Sequence, residues 1–214
     1  MQDIDFAQAF ISFIVLLFSL TVHETAHAFT ADRLGDPTAR LLGRISLNPL
    51  VHADPIGTVL FPLIALFTGV PLIGWAKPVP VNVARLRHTR RDYVLVAAAG
   101  PASNLALALL AGIALRLIPV SPVTLGETNV SVPIAMTLSR ALLVNVLLAV
   151  FNMIPIPPLD GGNVLSGLLP RAIANRFDSV LRPYGFVLLY ALVFTGGLQY
   201  LVIQPSRFLI SWLQ

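Results

Sequence analysis

The amino-acid sequence predicts an all-α polytopic membrane protein. About four to five transmembrane helices are expected, with a re-entrant or irregular segment and short β-strands at the cytoplasmic side. Three observations carry this reading. Of 214 residues, 56% are hydrophobic and 11% are charged, with a mean hydropathy of +0.82; a soluble domain carries about 25% charged residues. Several apolar stretches reach the roughly 20 residues that a spanning helix needs. The basic residues fall in short loops beside those stretches, a pattern of membrane orientation rather than of nucleic-acid binding. The length suits one domain, residues 1–214.

The first span is read over Phe6–Ala31. The start, MQDID, has no basic region, so no cleavable signal is expected. The stretch TARLLGRISLNPLVHADP carries turn signals at Asn48-Pro49 and Asp54-Pro55, after Gly35-Asp36-Pro37 just upstream, and alternates in part. Short strands or an irregular lip are expected there. Ile56–Trp75 is long enough to span but contains Pro62, Pro71 and three glycines. Further spans are read over Tyr93–Ile118, Val132–Ile154 and Tyr184–Ile203, and Pro205–Gln214 is too short to cross and is expected along the interface.

Arg33, Arg40 and Arg44 precede the 56–75 segment, and Lys77, Arg85, Arg87, Arg90 and Arg91 follow it. The excess of Lys and Arg in cytoplasmic loops assigns both flanks to the cytoplasm. A single crossing between them is incompatible with that, so 56–75 is expected to re-enter the membrane and return, or to lie in a protein-lined cleft.

Residues 22–28 read VHETAHA, inside an otherwise apolar run. His23 and His27 are four apart and share a helix face, so both imidazoles can reach one ion. Glu24 is placed to hold a water at that ion. H-E-x-x-H is the pattern of a zinc hydrolase with the glutamate as general base. With four histidines and two glutamates in the chain, a chance match is expected ~0.0007 times. Ionisable groups at membrane depth point to function by default. The alternative is a polar cluster that only packs helices together, which leaves Glu24 unexplained.

The chain has no cysteine, so any metal must be held by His, Asp, Glu or water. Catalytic zinc usually takes three protein ligands. Asp160 stands out as the third, in FNMIPIPPLDGG directly after a span. Prolines break the helix there, and Gly161 and Gly162 allow close backbone approach. A carboxylate on a broken helix at membrane depth suits an ion site. His52 and Asp54 are the rival source.

These residues resemble the site-2 proteases, a family of intramembrane zinc metalloproteases. His23, Glu24 and His27 resemble its first motif. NMIPIPPLDGG resembles its second, with Asn152, Pro155, Pro157, Leu159, Asp160 and Gly161 in place, and AGPASN supplies Gly100, Pro101 and Asn104 of a third element. LGDPTAR, LNP and GWAKPVPVN extend the likeness over most of the chain. The resemblance implies one Zn2+ per chain held by His23, His27 and Asp160, with Glu24 as base. It also implies cleavage of a substrate's transmembrane segment near the cytoplasmic face. No helix upstream of the first motif, PDZ-like insertion or nucleotide-sensing domain is seen, which resembles the compact branch of the family.

Asn152 and Asn104 are candidate substrate-binding amides, and Gly74–Asn82 is a candidate strand for pairing with an unwound substrate. Gly100-Pro101 is read as starting or kinking its helix beside the site. The expected partners are a transmembrane protein or peptide substrate and the lipid bilayer, with no nucleic acid; the oligomeric state is open. The expected location is the cell membrane, multi-pass and prokaryotic, with the site opening toward the cytoplasm. A metal transporter or a non-catalytic membrane adaptor is the competing function. The first would place relay sites at several depths, where this sequence has one cluster; the second would tolerate loss of Glu24.

Overall fold

The computed structural model describes residues 6–61, 64, 75–118 and 131–213. The chain order is α1 (Phe6–Arg33), α2 (Thr38–Leu41), α3 (Pro49–His52), a wide turn Pro55–Leu60, a 3-10 turn Val83–Arg85, α4 (Thr89–Leu117), α5 (Ser131–Asn152), α6 (Asp160–Leu168), α7 (Arg171–Phe194), a wide turn Gln199–Ile203 and α8 (Gln204–Leu213). Helices α1, α4, α5 and α7 are long and apolar enough to cross a membrane. The first three fall within about one helical turn of their expected bounds.

The fourth does not. It was expected over Tyr184–Ile203, and the helix runs from Arg171 to Phe194. Arg171, Arg176, Asp178 and Arg182 lower the hydropathy of its first half, yet a helix need not stop where the apolar stretch does. Its far end is set by Gly196, which takes φ 74° and closes the last turn with its N–H on the Val193 carbonyl. A left-handed residue is the usual helix stop, and glycine accepts it without a Cβ clash.

The last helix, expected to be too short to cross, is not among the spans and packs on the bundle: α8 sets Leu209, Ile210 and Leu213 against the buried cluster Ala108, Ala111, Leu142 and Val146 of α4 and α5. Small residues on α4 permit the approach: a Cβ on Gly112 would stand 2.5 Å from the Leu213 carbonyl oxygen.

The short strands expected at the cytoplasmic side are not found among the described residues. In the 75–82 stretch, Pro78 and Pro80 have no N–H to give a ladder. Other donors are taken elsewhere: Trp75 N–H by the Gly57 carbonyl, Lys77 N–H by the His52 carbonyl at 2.8 Å, and Val79 and Asn82 N–H by side chains. Arg44 donates to the Lys77 and Pro78 carbonyls and ties the same stretch to the lip after α1. The two basic loops that flank residues 56–75 therefore meet at one end of the bundle.

The two ends of 56–75 also meet. The Thr58 hydroxyl donates to the Trp75 carbonyl at 2.8 Å, and the Phe61 and Trp75 rings stand 5.1 Å apart. Gly57 lies flush on the indole, where a Cβ would come within 2.4 Å of the ring. Residues 62–63 and 65–74 of this segment lie outside the described residues.

Asp36 fastens the turn after α1 to the 75–82 stretch. Its fully buried carboxylate accepts from Thr38 N–H at 3.1 Å, from the Thr38 hydroxyl at 2.5 Å and from Asn82 N–H at 2.6 Å. Burial works against its charge; the bonds from Thr38 and Asn82 and the positive charge of Arg85 outweigh burial and hold the carboxyl below its ordinary 3.8. A folded pKa below the unfolded one contributes stability that is present above about pH 4 and is lost as pH falls through the lowered value. Acidification from pH 5 downward is expected to raise amide hydrogen exchange at Thr38 and Asn82 before the spans respond. Asp36→Ala is expected to do the same at neutral pH, at a cost of about 1–3 kcal/mol for the donors left unpaired.

Candidate metal centre and cleft

Helices α1 and α4 run antiparallel and meet in steps of four residues. Ser19, His23 and His27 share one face of α1; Val96, Gly100 and Asn104 share one face of α4. His27 donates from Nδ1 to the Val96 carbonyl at 2.7 Å, and His23 from Nδ1 to Asn104 Oδ1 at 2.6 Å. Between these two bonds lies Gly100. A Cβ there would stand 2.4 Å from His27 Nε2 and 2.5 Å from His23 Cε1. Pro101 lies inside α4 and Gly100 within its continuous run, so the motif does not start this helix. Its glycine gives the imidazoles their room.

With both Nδ1 atoms donating, both Nε2 atoms present lone pairs, 3.0 Å apart. Asp160 Oδ2 lies 3.1 Å from His23 Nε2 and 3.4 Å from His27 Nε2. Asp160 is the first residue of α6, where the helix dipole favours a carboxylate. Its Oδ2 is buried without a hydrogen-bond partner. Two lone pairs and an orphaned carboxylate oxygen facing one point repel one another unless a proton or a metal ion lies between them. Ligand atoms about 2.1 Å from a tetrahedral ion stand roughly 3.4 Å apart, close to the three separations observed. Among the described residues this is the one such metal-ligand group, and it fits zinc.

The rival ligands lie elsewhere. His52 is buried and faces the Ser46 carbonyl at 2.8 Å, and Asp54 caps the turn at Ile56 and Gly57. Both serve the lip.

The metal point opens into a cleft of about 350 Å³ walled by His23, Glu24, His27, Val79, Asn152 and Asp160. Glu24 Oε2 accepts from Val79 N–H at 2.9 Å, so the backbone of the 75–82 stretch holds this carboxylate in place. Asn152 donates one N–H to the Leu148 carbonyl at 3.0 Å and faces the cleft, where its second N–H is available. Asn104 differs from the substrate role expected of it. It is fully buried behind His23, with Oδ1 on that ring and Nδ2 on Asn145 at 2.8 Å. The close fit of Gly100, the Val96 carbonyl and the contact of Val79 with Glu24 were not legible in the sequence. The one available signal was a glycine four residues before a polar residue in an apolar helix.

A helical membrane bundle with a His-His-Asp cluster beside a glutamate that lines the same cleft has the make-up of a metallopeptidase of membrane type. The profile of Peptidase family M50 matches residues 119–192. The "Putative zinc metalloprotease YwhC" of Bacillus subtilis is 37% identical over 182 residues, 85% of this chain and 79% of that protein. Two proteins named "Putative zinc metalloprotease Rip2" are also similar. The one from Mycolicibacterium smegmatis is 32% identical over 85% of this chain, and one from Mycobacterium tuberculosis is 34% identical over 75%. The chain spans 66% and 58% of their lengths. No solved structure matches the chain. The chain belongs to peptidase family M50, the site-2 proteases, and is a zinc metalloprotease by that membership.

Proposed function

We infer that the protein is an intramembrane zinc metalloprotease that hydrolyses peptide bonds within or near transmembrane segments of membrane-protein substrates. One observation carries the reading: His23 Nε2, His27 Nε2 and Asp160 Oδ2 converge on one point in a cleft that Glu24 also lines. His23, His27 and Asp160 would hold one zinc per chain, which when bound would supply Lewis-acid polarisation of the scissile carbonyl. Glu24 takes the proton from the attacking water and hands it to the leaving amine. Asn152 offers its N–H to the backbone of the unwound substrate. Val79 and Val81 wall the same cleft, and a substrate strand lying along them takes up the Val79 N–H that Glu24 holds at rest.

The cleft opens at the end of the bundle where the basic loops meet, which supports an active site facing the cytoplasm of a prokaryotic cell membrane. The meeting ends of residues 56–75 support a segment that enters the membrane and returns on that side. A transporter would need metal-binding groups at several depths, and the described residues hold one cluster.

The test is cleavage of a model transmembrane peptide by purified, zinc-loaded protein, wild type beside Glu24→Gln. The substitution keeps size and both histidines and removes the base. Loss of at least about 100-fold in rate, with zinc retained, is expected of a lost general base. Equal cleavage by the two proteins would sink the Glu24 assignment.

A further inference from the structure

Behind the metal point, three buried polar side chains from three helices form one chain: Ser19 of α1, Asn104 of α4 and Asn145 of α5, exposed by 1%, 0% and 2%. Its direction is fixed by chemistry. Asn145 Nδ2 lies 2.9 Å from the Ala141 carbonyl. A backbone carbonyl only accepts, so the nitrogen of this amide must face it. The second N–H of Asn145 goes to Ser19 Oγ at 2.9 Å. Its Oδ1 is therefore turned to Asn104 and accepts from Nδ2 at 2.8 Å. Asn104 Nδ2 has a second acceptor-only neighbour, the Ser19 carbonyl at 3.4 Å. Asn104 Oδ1 is left facing His23 Nδ1 at 2.6 Å, and that nitrogen must carry the ring proton.

We propose that Asn145 is a positioning residue for the zinc site: acting through Asn104, it fixes the Nδ1–H tautomer of His23 and aims Nε2 at the metal. Were Asn104 turned over, its N–H would meet His23 Nδ1. The ring proton would move to Nε2 and block that ligand. His27 reaches the same tautomer by a single bond to the Val96 carbonyl, which cannot turn over. His23 has only a side-chain amide beside it, and an amide has two orientations; Asn145 removes the choice. All three side chains are at most 2% exposed, so loss of one link leaves its neighbours without a substitute protein partner. This inference rests on the zinc-protease reading above.

The experiment measures zinc affinity by chelator competition, and the visible spectrum of the cobalt-substituted protein, on the full chain in detergent micelles. Three variants are compared with wild type. Asn145→Leu and Asn145→Ala remove the acceptor for Asn104. Asn145→Asp keeps it, since burial holds that carboxyl neutral. The two apolar variants are expected to bind zinc roughly 10-fold more weakly, the lower end for losing a group that supports a ligand, with altered cobalt bands. The aspartate variant is expected to restore both readouts. A merely structural amide predicts the opposite split, with lower thermal stability and unchanged zinc affinity and spectrum.

Wild-type affinity in either folded apolar variant, or an aspartate variant as weak as the apolar ones, overturns the relay and leaves the protease reading standing. A wild-type protein that binds no zinc overturns both.

Discussion

Replacing Gly100 by alanine is expected to abolish zinc binding while leaving the helical bundle assembled. The added Cβ would stand 2.4 Å from His27 Nε2, 2.5 Å from His23 Cε1 and 2.6 Å from His23 Nε2, distances that no pair of such atoms tolerates. The rings have no simple retreat, because each is tethered through Nδ1 to α4, at Val96 or at Asn104. Either α4 moves off α1 or both ligands leave the metal point. Overpacking of this kind costs about 1–3 kcal/mol, which a spanning bundle can absorb. A misplacement of about 1 Å at a reacting centre costs on the order of 100-fold in rate. Zinc content after dialysis and cleavage of the model peptide are the measurements. Gly112→Ala is the control, on the same helix and with a clash as close, against Leu213 of α8. It is expected to lower thermal stability and to keep the zinc. Full zinc content in Gly100→Ala would mean that the helices separate more easily than their hydrogen bonds imply.

The second large effect is expected at Asp160. Asparagine has the same shape but is a neutral and weaker ligand, and His23 and His27 remain. Asp160→Asn is expected to weaken zinc binding by at least about 100-fold, the upper end for losing a residue that merely supports a ligand. Peptide cleavage should fall in step. His52→Ala decides between the two candidate sources of the third ligand. It removes the bond to the Ser46 carbonyl, so it should loosen the lip and leave zinc affinity unchanged. The reverse pattern would move the third ligand to the lip and dismantle the site described above.

The part of this site written in local spacing was readable from the sequence. Two histidines four apart define a helix face without any knowledge of the fold, and the glutamate between them has little other reason to sit in an apolar run. Asp160 was readable from its prolines and glycines, because few sequences interrupt a spanning helix so abruptly. What depends on which helix faces which was not readable. Asn104 could be recognised as a polar residue in an apolar helix, but only the register of α1 against α4 turns it toward His23 rather than toward a substrate. Asn145, surrounded in sequence by leucine and valine, carried the same ambiguity. The fourth span was misplaced because hydropathy marks where lipid would be, whereas a helix ends where its backbone is stopped, here at Gly196. The strands expected near Pro78 and Pro80 failed for a backbone reason too, since their neighbours' N–H groups are spent on His52, Glu24 and Asp36.

The donors of the metal point come from two distant parts of the chain, α1 and the start of α6, with Asp160 lying 133 positions after the nearer histidine. A divalent ion there is also a crosslink. It closes a loop that contains α4 and α5, and closing a long loop removes much of the freedom an unfolded chain would regain. An ion that binds only the folded chain also stabilises it by mass action, about 2.7 kcal/mol at a hundredfold excess over its dissociation constant. On the proposed ligation, the ion at the reacting centre would also clasp α6 against α1, and stripping it with a chelator should lower the melting temperature even of a protein whose Glu24 has been replaced.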